Sequence, residues 1–351
     1  MTHNTAQENR PPLLSVRDLK TVFELDEGTV IAVDGVSFDV YPSQVVGIVG
    51  ESGCGKSATV KSILRLIEAP GRISSGRILF RPEPTQPEPI DLVQLDPRGK
   101  QIRAIRGAEI ALIPQEPMAA FSPVHTIGNQ LIEAVRLHQR ISKRAARAIA
   151  LERLTEVGVP HPAQCLESYS WQLSGGLRQR AMIAMALTCN PALLIADEPT
   201  TAIDVTTQAQ VLNLLGRLQQ QHHTAIIFIT HDLGVIAQTA DFVVVMYLGR
   251  VMESGPVDAI FHQPQHPYTR ALLESIPSLK TARHSRLPTI AGSIPHPFNR
   301  PPGCPFAQRC PDRMPECERK LPALVPLNEQ QAVSCFKYHD QIDTQSGAKH
   351  A

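Results

Sequence analysis

The chain has 351 residues, and its 34 basic and 33 acidic side chains leave a formal charge of +1, so no global field draws it to nucleic acid or to an acidic partner. No apolar run nears the roughly 20 residues that span a bilayer, and the polar start MTHNTAQENRPP lacks a signal peptide's apolar stretch, which excludes export as an expectation. The length suits one large domain with an appendage, or two domains, in a cytosolic setting where thiols stay reduced.

Along the chain, residues 1–12 read as a disordered start, and the polar stretch RPEPTQPEP at 81–89 reads as a surface loop within an N-terminal β-region. The runs VVGIVG (45–50), ALLIADE (192–198) and TAIIFITHD (224–232) are continuously apolar before they meet glycine, acid or histidine. That pattern predicts strands buried on both faces, as in a parallel sheet covered by helices. Between them, GNQLIEAVRLHQR (128–140) and QAQVLNLLGRLQQ (208–220) carry apolar residues at helical spacing. The basic stretch 136–153 interleaves Arg136, Arg140, Lys143, Arg144, Arg147 and Arg153 with Ile141, Ala145, Ile149 and Leu151, and no aromatic stacking platform accompanies it. It is expected to be a solvated amphipathic helix rather than a nucleic-acid face. From Gly255 on, the tail holds 14 of the chain's 30 prolines, which sets a boundary near residue 255 and predicts a loop-rich extension.

The strongest chemical signal is GESGCGKS, Gly50 to Ser57, placed between a buried strand and the helical pattern SATVKSILRLI. Its glycines let backbone N–H groups wrap phosphates at the start of a helix. The nucleotide-cradling residues expected here are Gly50, Glu51, Ser52, Gly53, Cys54, Gly55, Lys56, Ser57 and Ala58. Lys56 reaches the β- and γ-phosphates and the Ser57 hydroxyl ligates Mg²⁺. The Cys54 side chain is small enough for the loop and is not itself a ligand. LLIADEP brings a strand to Asp197, suited to Mg²⁺, and to Glu198, suited to polarise an attacking water. His231 ends another strand in FITHD and is a candidate for the γ-phosphate, while Gln115 in ALIPQEP is a candidate sensor of Mg²⁺ and water. In LSGGLRQR, Ser174, Gly175 and Gly176 open a helix and form a second anion site.

Taken together, these motifs resemble the ATP-binding subunits of ABC transporters. Gly50 to Ser57 match the Walker A motif, Gln115 the Q-loop, Leu173 to Gln179 the signature, Leu193 to Glu198 Walker B, and His231 the switch histidine. Thr201 to Val205 match the D-loop, with Ile203 where leucine is usual and Asp204 as its acid. Phe23 matches the position whose ring stacks on adenine, with a core phenylalanine as the competing reading. The resemblance covers about residues 13–255 and implies an α/β fold: a P-loop ATPase (RecA-like) core with an N-terminal antiparallel β-region, a helical subdomain inserted at about 116–190, and the extension 256–351. It implies ATP and Mg²⁺ as cofactors, catalysis by Glu198, Gln115 and His231, and Mg²⁺ held by Ser57, Gln115 and Asp197. ATP-driven closure of two such domains would set Ser174, Gly175, Gly176, Gln179 and Asp204 toward a partner's nucleotide.

In the tail, HQPQHPYTRALLESIP (262–277) resembles the extension of the oligopeptide/dipeptide importer family, as does FSPVHTIGNQ (121–130). Pro267 is expected to open a short helix and Tyr268 to dock it, with no catalytic role. The resemblance implies a second ATPase subunit, commonly a paralogue, two membrane permease subunits and an extracytoplasmic solute-binding protein, at the cytoplasmic face of the inner membrane and without nucleic acid. Relatives of that family carry peptides, nickel, opines or glycosides. A soluble, non-transport ABC ATPase is the competing class; it typically has two cassettes or a long coiled coil, and neither pattern is present. Cys304, Cys310, Cys317 and Cys335 have the spacing C-x5-C-x6-C-x17-C. Four thiolates suit an iron–sulfur cluster or zinc, or the thiols stay reduced and unligated. The family resemblance favours a [4Fe–4S] cluster that staples the proline-rich tail, while Cys165 and Cys189 read as packing residues.

Overall fold

A computed structural model describes residues 11–83, 88–116, 120–201, 205–276 and 290–339. The polar start up to residue 10, the middle of the 81–89 loop and Asp204 lie outside the described residues. In chain order the strands are β1 (Leu14–Leu25), β2 (Gly28–Val40), β3 (Val45–Val49), β4 (Gly71–Phe80), β5 (Ile90–Asp91) and β6 (Ile110–Ile113). They continue with β7 (Leu193–Asp197), β8 (Ala225–Ile229), β9 (Phe242–Tyr247), β10 (Arg250–Pro256), β11 (Val325–Pro326) and β12 (Ala332–Val333). All five residues of β3, β7 and β8 are buried, as continuous apolar runs require of strands covered on both faces.

The chain divides into two compact units. One comprises residues up to Leu14, Asp39–Val45 and Leu79–Ile229; the other comprises Ser15–Phe38, Val46–Ile78 and the chain from Thr230 on. In the first, β6, β7 and β8 are parallel neighbours, with Ile113 beside Ala196 and Asp197 beside Ile229. Parallel strands need crossovers, and these supply the helices. Between β6 and β7 run the helices Ile127–His138, Lys143–Glu156, Pro162–Glu167 and Gly175–Ala186, which pack on one another and bury Leu131, Val135, Ala150, Leu154, Leu166 and Ile183. Each of three starts is capped by a hydroxyl: Thr126 accepts from Asn129 N–H, Ser142 from Ala145 N–H and Ser174 from Leu177 N–H. The basic stretch 136–153 is split between the end of Ile127–His138 and the helix Lys143–Glu156, whose buried face carries Ala146, Ala150 and Leu154 rather than Ile141, Ala145, Ile149 and Leu151. Its basic residues are exposed as expected, with Arg147 paired to Glu167 at the surface, except at the end of the second helix. There Arg153 is buried, bridging Glu156 at 2.5 Å and Asn190 at 2.7 Å.

In the second unit β3 is parallel to β9, β10 turns back antiparallel on β9, and β12 adds to β10 through Glu253 beside Val333 and Ser254 beside Ala332. β11 closes this edge against β12. In the amino-terminal sheet β1 lies between β2 and β4, and β5 pairs antiparallel with the end of β4.

The proline-rich tail therefore joins an existing core. Phe306 is fully buried against Tyr247 and Tyr268, at ring separations of 5.5 and 5.2 Å. The carboxylate of Glu253, wholly buried, accepts from the Gln265 and His266 N–H groups and from Gln331 Nε2. Asp34 collects Arg250, Arg300 and Lys20. Pro267 does open a helix, Pro267–Glu274, and the His266 ring caps it by accepting at Nδ1 from the Tyr268 N–H at 3.0 Å.

Burial, with Arg270 nearby, lowers the pKa of His266 from 6.5 to about 3. The unfolded chain takes up this proton near 6.5 while the folded chain resists it, so stability falls as the pH drops from about 6.5 toward 3. Chemical denaturation at pH 7.5 and 5.5 should show a lower midpoint at the acid value. A His266→Gln chain should show a smaller difference between the two.

Candidate nucleotide site

The loop between β3 and the helix Lys56–Ile63 turns because of its glycines. Gly50 and Gly55 have φ of 149° and 100°, in the region that side chains disfavour. Both are also pressed against backbone: a Cβ on Gly50 would lie 2.1 Å from the Met246 carbonyl oxygen, and one on Gly55 would lie 2.3 Å from that of Ala32. The helix begins at Gly55 with no side-chain cap, so its positive end meets no capping side chain of its own. Lys56 is buried, and its Nζ donates to the carbonyls of Gly50 at 2.8 Å and Glu51 at 3.2 Å. Ser52 and Gly53 are exposed at the tip, while Ser57 and Ala58 are half-buried. Cys54 is buried beneath the loop with Sγ 3.8 Å from Lys56 Nζ, and burial raises its thiol pKa.

Phe23 is half-buried on β1, its ring edge directly over Gly71. His231 is exposed between Thr230 and Asp232. Asp232 accepts from the Gly234 and Val235 N–H groups and so caps the helix Leu233–Thr239.

At the other half of the motif set, β7 ends with Asp197 buried and Glu198 immediately beyond it. Glu198 has φ of 48°, a left-handed backbone that costs a non-glycine residue energy, and its N–H donates to Ile229 O at 2.9 Å. Its Oε2 accepts from Gln115 Nε2 at 3.1 Å and from Thr201 Oγ1 at 2.9 Å. The structure thus brings together Gln115 and Glu198, residues 83 apart in sequence, and adds Thr201, which the sequence placed only as the first residue of the D-loop match and not as a partner of Glu198.

In the signature segment, Ser174 and Gly175 are exposed at the start of the helix Gly175–Ala186, and a Cβ on Gly175 would meet nothing. The Ser174 hydroxyl accepts from Leu177 N–H, which leaves its own proton to donate. Gln179 points inward: it is 1% exposed, and its Nε2 donates to Pro199 O at 2.8 Å, tying this helix to the segment after β7.

Comparison with known proteins agrees with these motifs. Residues 33–201 match the ABC transporter family model, and residues 252–317 match that of the oligopeptide/dipeptide transporter C-terminal region. The dipeptide transport ATP-binding protein DppD of Bacillus subtilis is 49% identical over 92% of this chain and 94% of its own length. The oligopeptide transport ATP-binding protein AppD of the same organism is 46% identical over 95% of this chain and 99% of its own. Among solved structures, the ATP-binding cassette MJ0796 in a post-hydrolysis state with ADP and Pi superimposes with a TM-score of 0.61 at 24% identity, covering 70% of this chain and 98% of that one. The chain belongs to the ATP-binding subunits of ABC transporters, in their oligopeptide/dipeptide transporter family. It is an ATPase that binds ATP, and its α/β fold is that of the P-loop cassette.

One expectation is overturned. Cys304, Cys310, Cys317 and Cys335 do not carry a [4Fe–4S] cluster: among the described residues no group of His, Cys, Asp or Glu side chains is arranged to hold a metal ion, and all four cysteines are free. Burial pushes Cys304 up to about 12 and raises Cys310 and Cys335 as well, so these three stand as protonated thiols. The tail is held instead by β12 on β10, the Phe306 cluster and its ion pairs.

Replacing Gly55 with Ala should weaken binding of a fluorescent ATP analogue by about 10- to 100-fold, the equivalent of the strain of a disfavoured backbone plus the displaced Ala32 carbonyl. Equilibrium titration of the full-length chain measures this.

Proposed function

We propose that this chain is an ATP-hydrolysing subunit that powers import of peptides through a membrane permease. The observation that carries this is the joint match to the ABC cassette and to the oligopeptide/dipeptide extension, with peptide-transport relatives aligned over almost the whole chain. Residues 13–255 act as the nucleotide-binding domain, with the helical subdomain at about 116–190, and 256–351 as the extension. Lys56 and the loop N–H groups bind the phosphates. Ser57, Gln115 and Asp197 would hold Mg²⁺, which offsets phosphate charge when bound. Glu198 takes the proton of the attacking water, Gln115 and Thr201 fix the orientation of its carboxylate, and His231 acts on the γ-phosphate. Phe23 stacks on the base. Ser174, Gly175 and Gly176 present a hydroxyl and helix N–H groups to the nucleotide of a second ATPase subunit, a paralogue, with Asp204 in the same closure.

No helix among the described residues is long and apolar enough to cross a membrane. In this reading two permease subunits anchor the chain at the cytoplasmic face of the inner membrane, and an extracytoplasmic solute-binding protein delivers the peptide.

Glu198→Gln should reduce ATP turnover by about a thousandfold or more, as loss of a positioned base does, while ATP stays bound. Turnover at the wild-type rate would remove Glu198 from its role. Co-expression with the permease genes should move the chain into the membrane fraction, and failure to associate would sink the importer reading.

A further inference from the structure

The phosphate loop is gripped from outside by the carboxyl-terminal extension, at Glu51. Arg309 places its guanidinium as a fork on the Glu51 carboxylate, Nη1 to Oε2 at 2.7 Å and Nη2 to Oε1 at 3.0 Å, across 258 residues of sequence. Its remaining donors reach Tyr247 Oη at 3.2 Å and the carbonyls of Ala291 and Ile290 at 2.9 and 3.3 Å. All five N–H groups of the guanidinium are therefore engaged. The Arg309 side chain is 4% exposed, and its guanidinium lies 5.7 Å from the centre of the Tyr247 ring and 5.9 Å from that of Phe306. A cation so placed has no freedom to leave the carboxylate.

Glu51 is held on its backbone as well. Its N–H donates to Tyr268 Oη at 2.9 Å, and Tyr268 is wholly buried at 4.7 Å from Tyr247. Its carbonyl receives Lys56 Nζ. Side chain, amide and carbonyl of this residue are each fixed, two of them by the extension.

Two consequences follow for an anionic ligand. A bare carboxylate in a phosphate-binding loop repels a polyphosphate, and the Arg309 fork neutralises it. With the Glu51 amide held by Tyr268 and its carbonyl by Lys56, the course of the loop is also set before the ligand arrives.

We propose that Arg309, with Tyr268, is a positioning residue of the nucleotide site, through which the carboxyl-terminal extension sets the affinity of the phosphate loop for ATP. The inference rests on the phosphate loop being the ATP-binding element.

The test uses the full-length chain for equilibrium binding of a fluorescent ATP analogue and the assembled transporter for ATPase kinetics. Arg309→Met should raise the Kd and the KM for ATP by about tenfold, with kcat at saturating ATP within about twofold of wild type, the split that loss of ground-state positioning gives. Arg309→Lys keeps the charge without the fork and should fall between the two; it carries the test should Arg309→Met fail to fold by circular dichroism. Tyr268→Phe should raise the Kd in the same direction. In a Glu51→Ala background, Arg309→Met should change the Kd by less than about twofold, since the arginine then has nothing to hold. A folded Arg309→Met chain with wild-type Kd and KM overturns the inference, as does an undiminished effect without Glu51, or a lowered melting temperature with KM unchanged. A wild-type chain that binds no analogue, or a Lys56→Ala chain that binds as well as wild type, overturns the ATPase reading and the inference with it.

Discussion

A loop that binds phosphate has to keep some of its backbone N–H groups for the ligand, so it depends on its neighbours for its shape. In this chain much of that shape is set by groups packed against the loop. The Met246 and Ala32 carbonyls press on Gly50 and Gly55, Gly249 N–H donates to Cys54 O, and Lys56 and Tyr268 tie the peptides around Glu51. The glycines are there because these neighbours leave no room for a Cβ, and the neighbours are themselves parts of β2, β9 and the turn that follows β9.

The same constraint explains how a proline-rich segment with few apolar residues becomes ordered. It has too little surface to bury for a core of its own, so it adds a strand to β10 and pushes Phe306 into the space between Tyr247 and Tyr268. The buried Glu253 and the half-buried Asp34 serve as anchors because each gathers several donors from segments far apart in sequence. Such networks are stable when every member is satisfied and costly when one is removed. Cys304 and Cys317 are neighbours within this packing, joined by the Cys304 N–H donating to the Cys317 carbonyl at 2.7 Å.

In the first unit the corresponding device is a strained one. Glu198 sits in a left-handed backbone conformation at the end of a fully buried strand, and its carboxylate is turned by Gln115 and Thr201. The parallel register of β7 and β8 supplies the carbonyl of Ile229 that fixes the Glu198 amide. Gln179 reaches Pro199 O just beyond, so the signature helix and the acidic strand end are mechanically joined.

What the sequence by itself determined is what depends on local pattern. Continuous apolar runs mark β3, β7 and β8, because a strand covered on both faces has no polar alternation. The phosphate loop is legible because wrapping phosphate demands glycines and a lysine at fixed spacing. Ser174 at a helix start and Pro267 as a helix opener follow from capping chemistry. What only the tertiary structure decided are the interactions between distant residues. The Arg309 fork on Glu51 spans 258 positions and looks in sequence like one more basic residue in a loop-rich tail. Arg153 reads as part of a solvated basic face until Asn190 and Glu156 are seen to bury it. Four cysteines in a row of loops suggest a metal by count alone. The surroundings of those thiols are a tertiary matter, and burial raises Cys304, Cys310 and Cys335, which no spacing along the chain encodes.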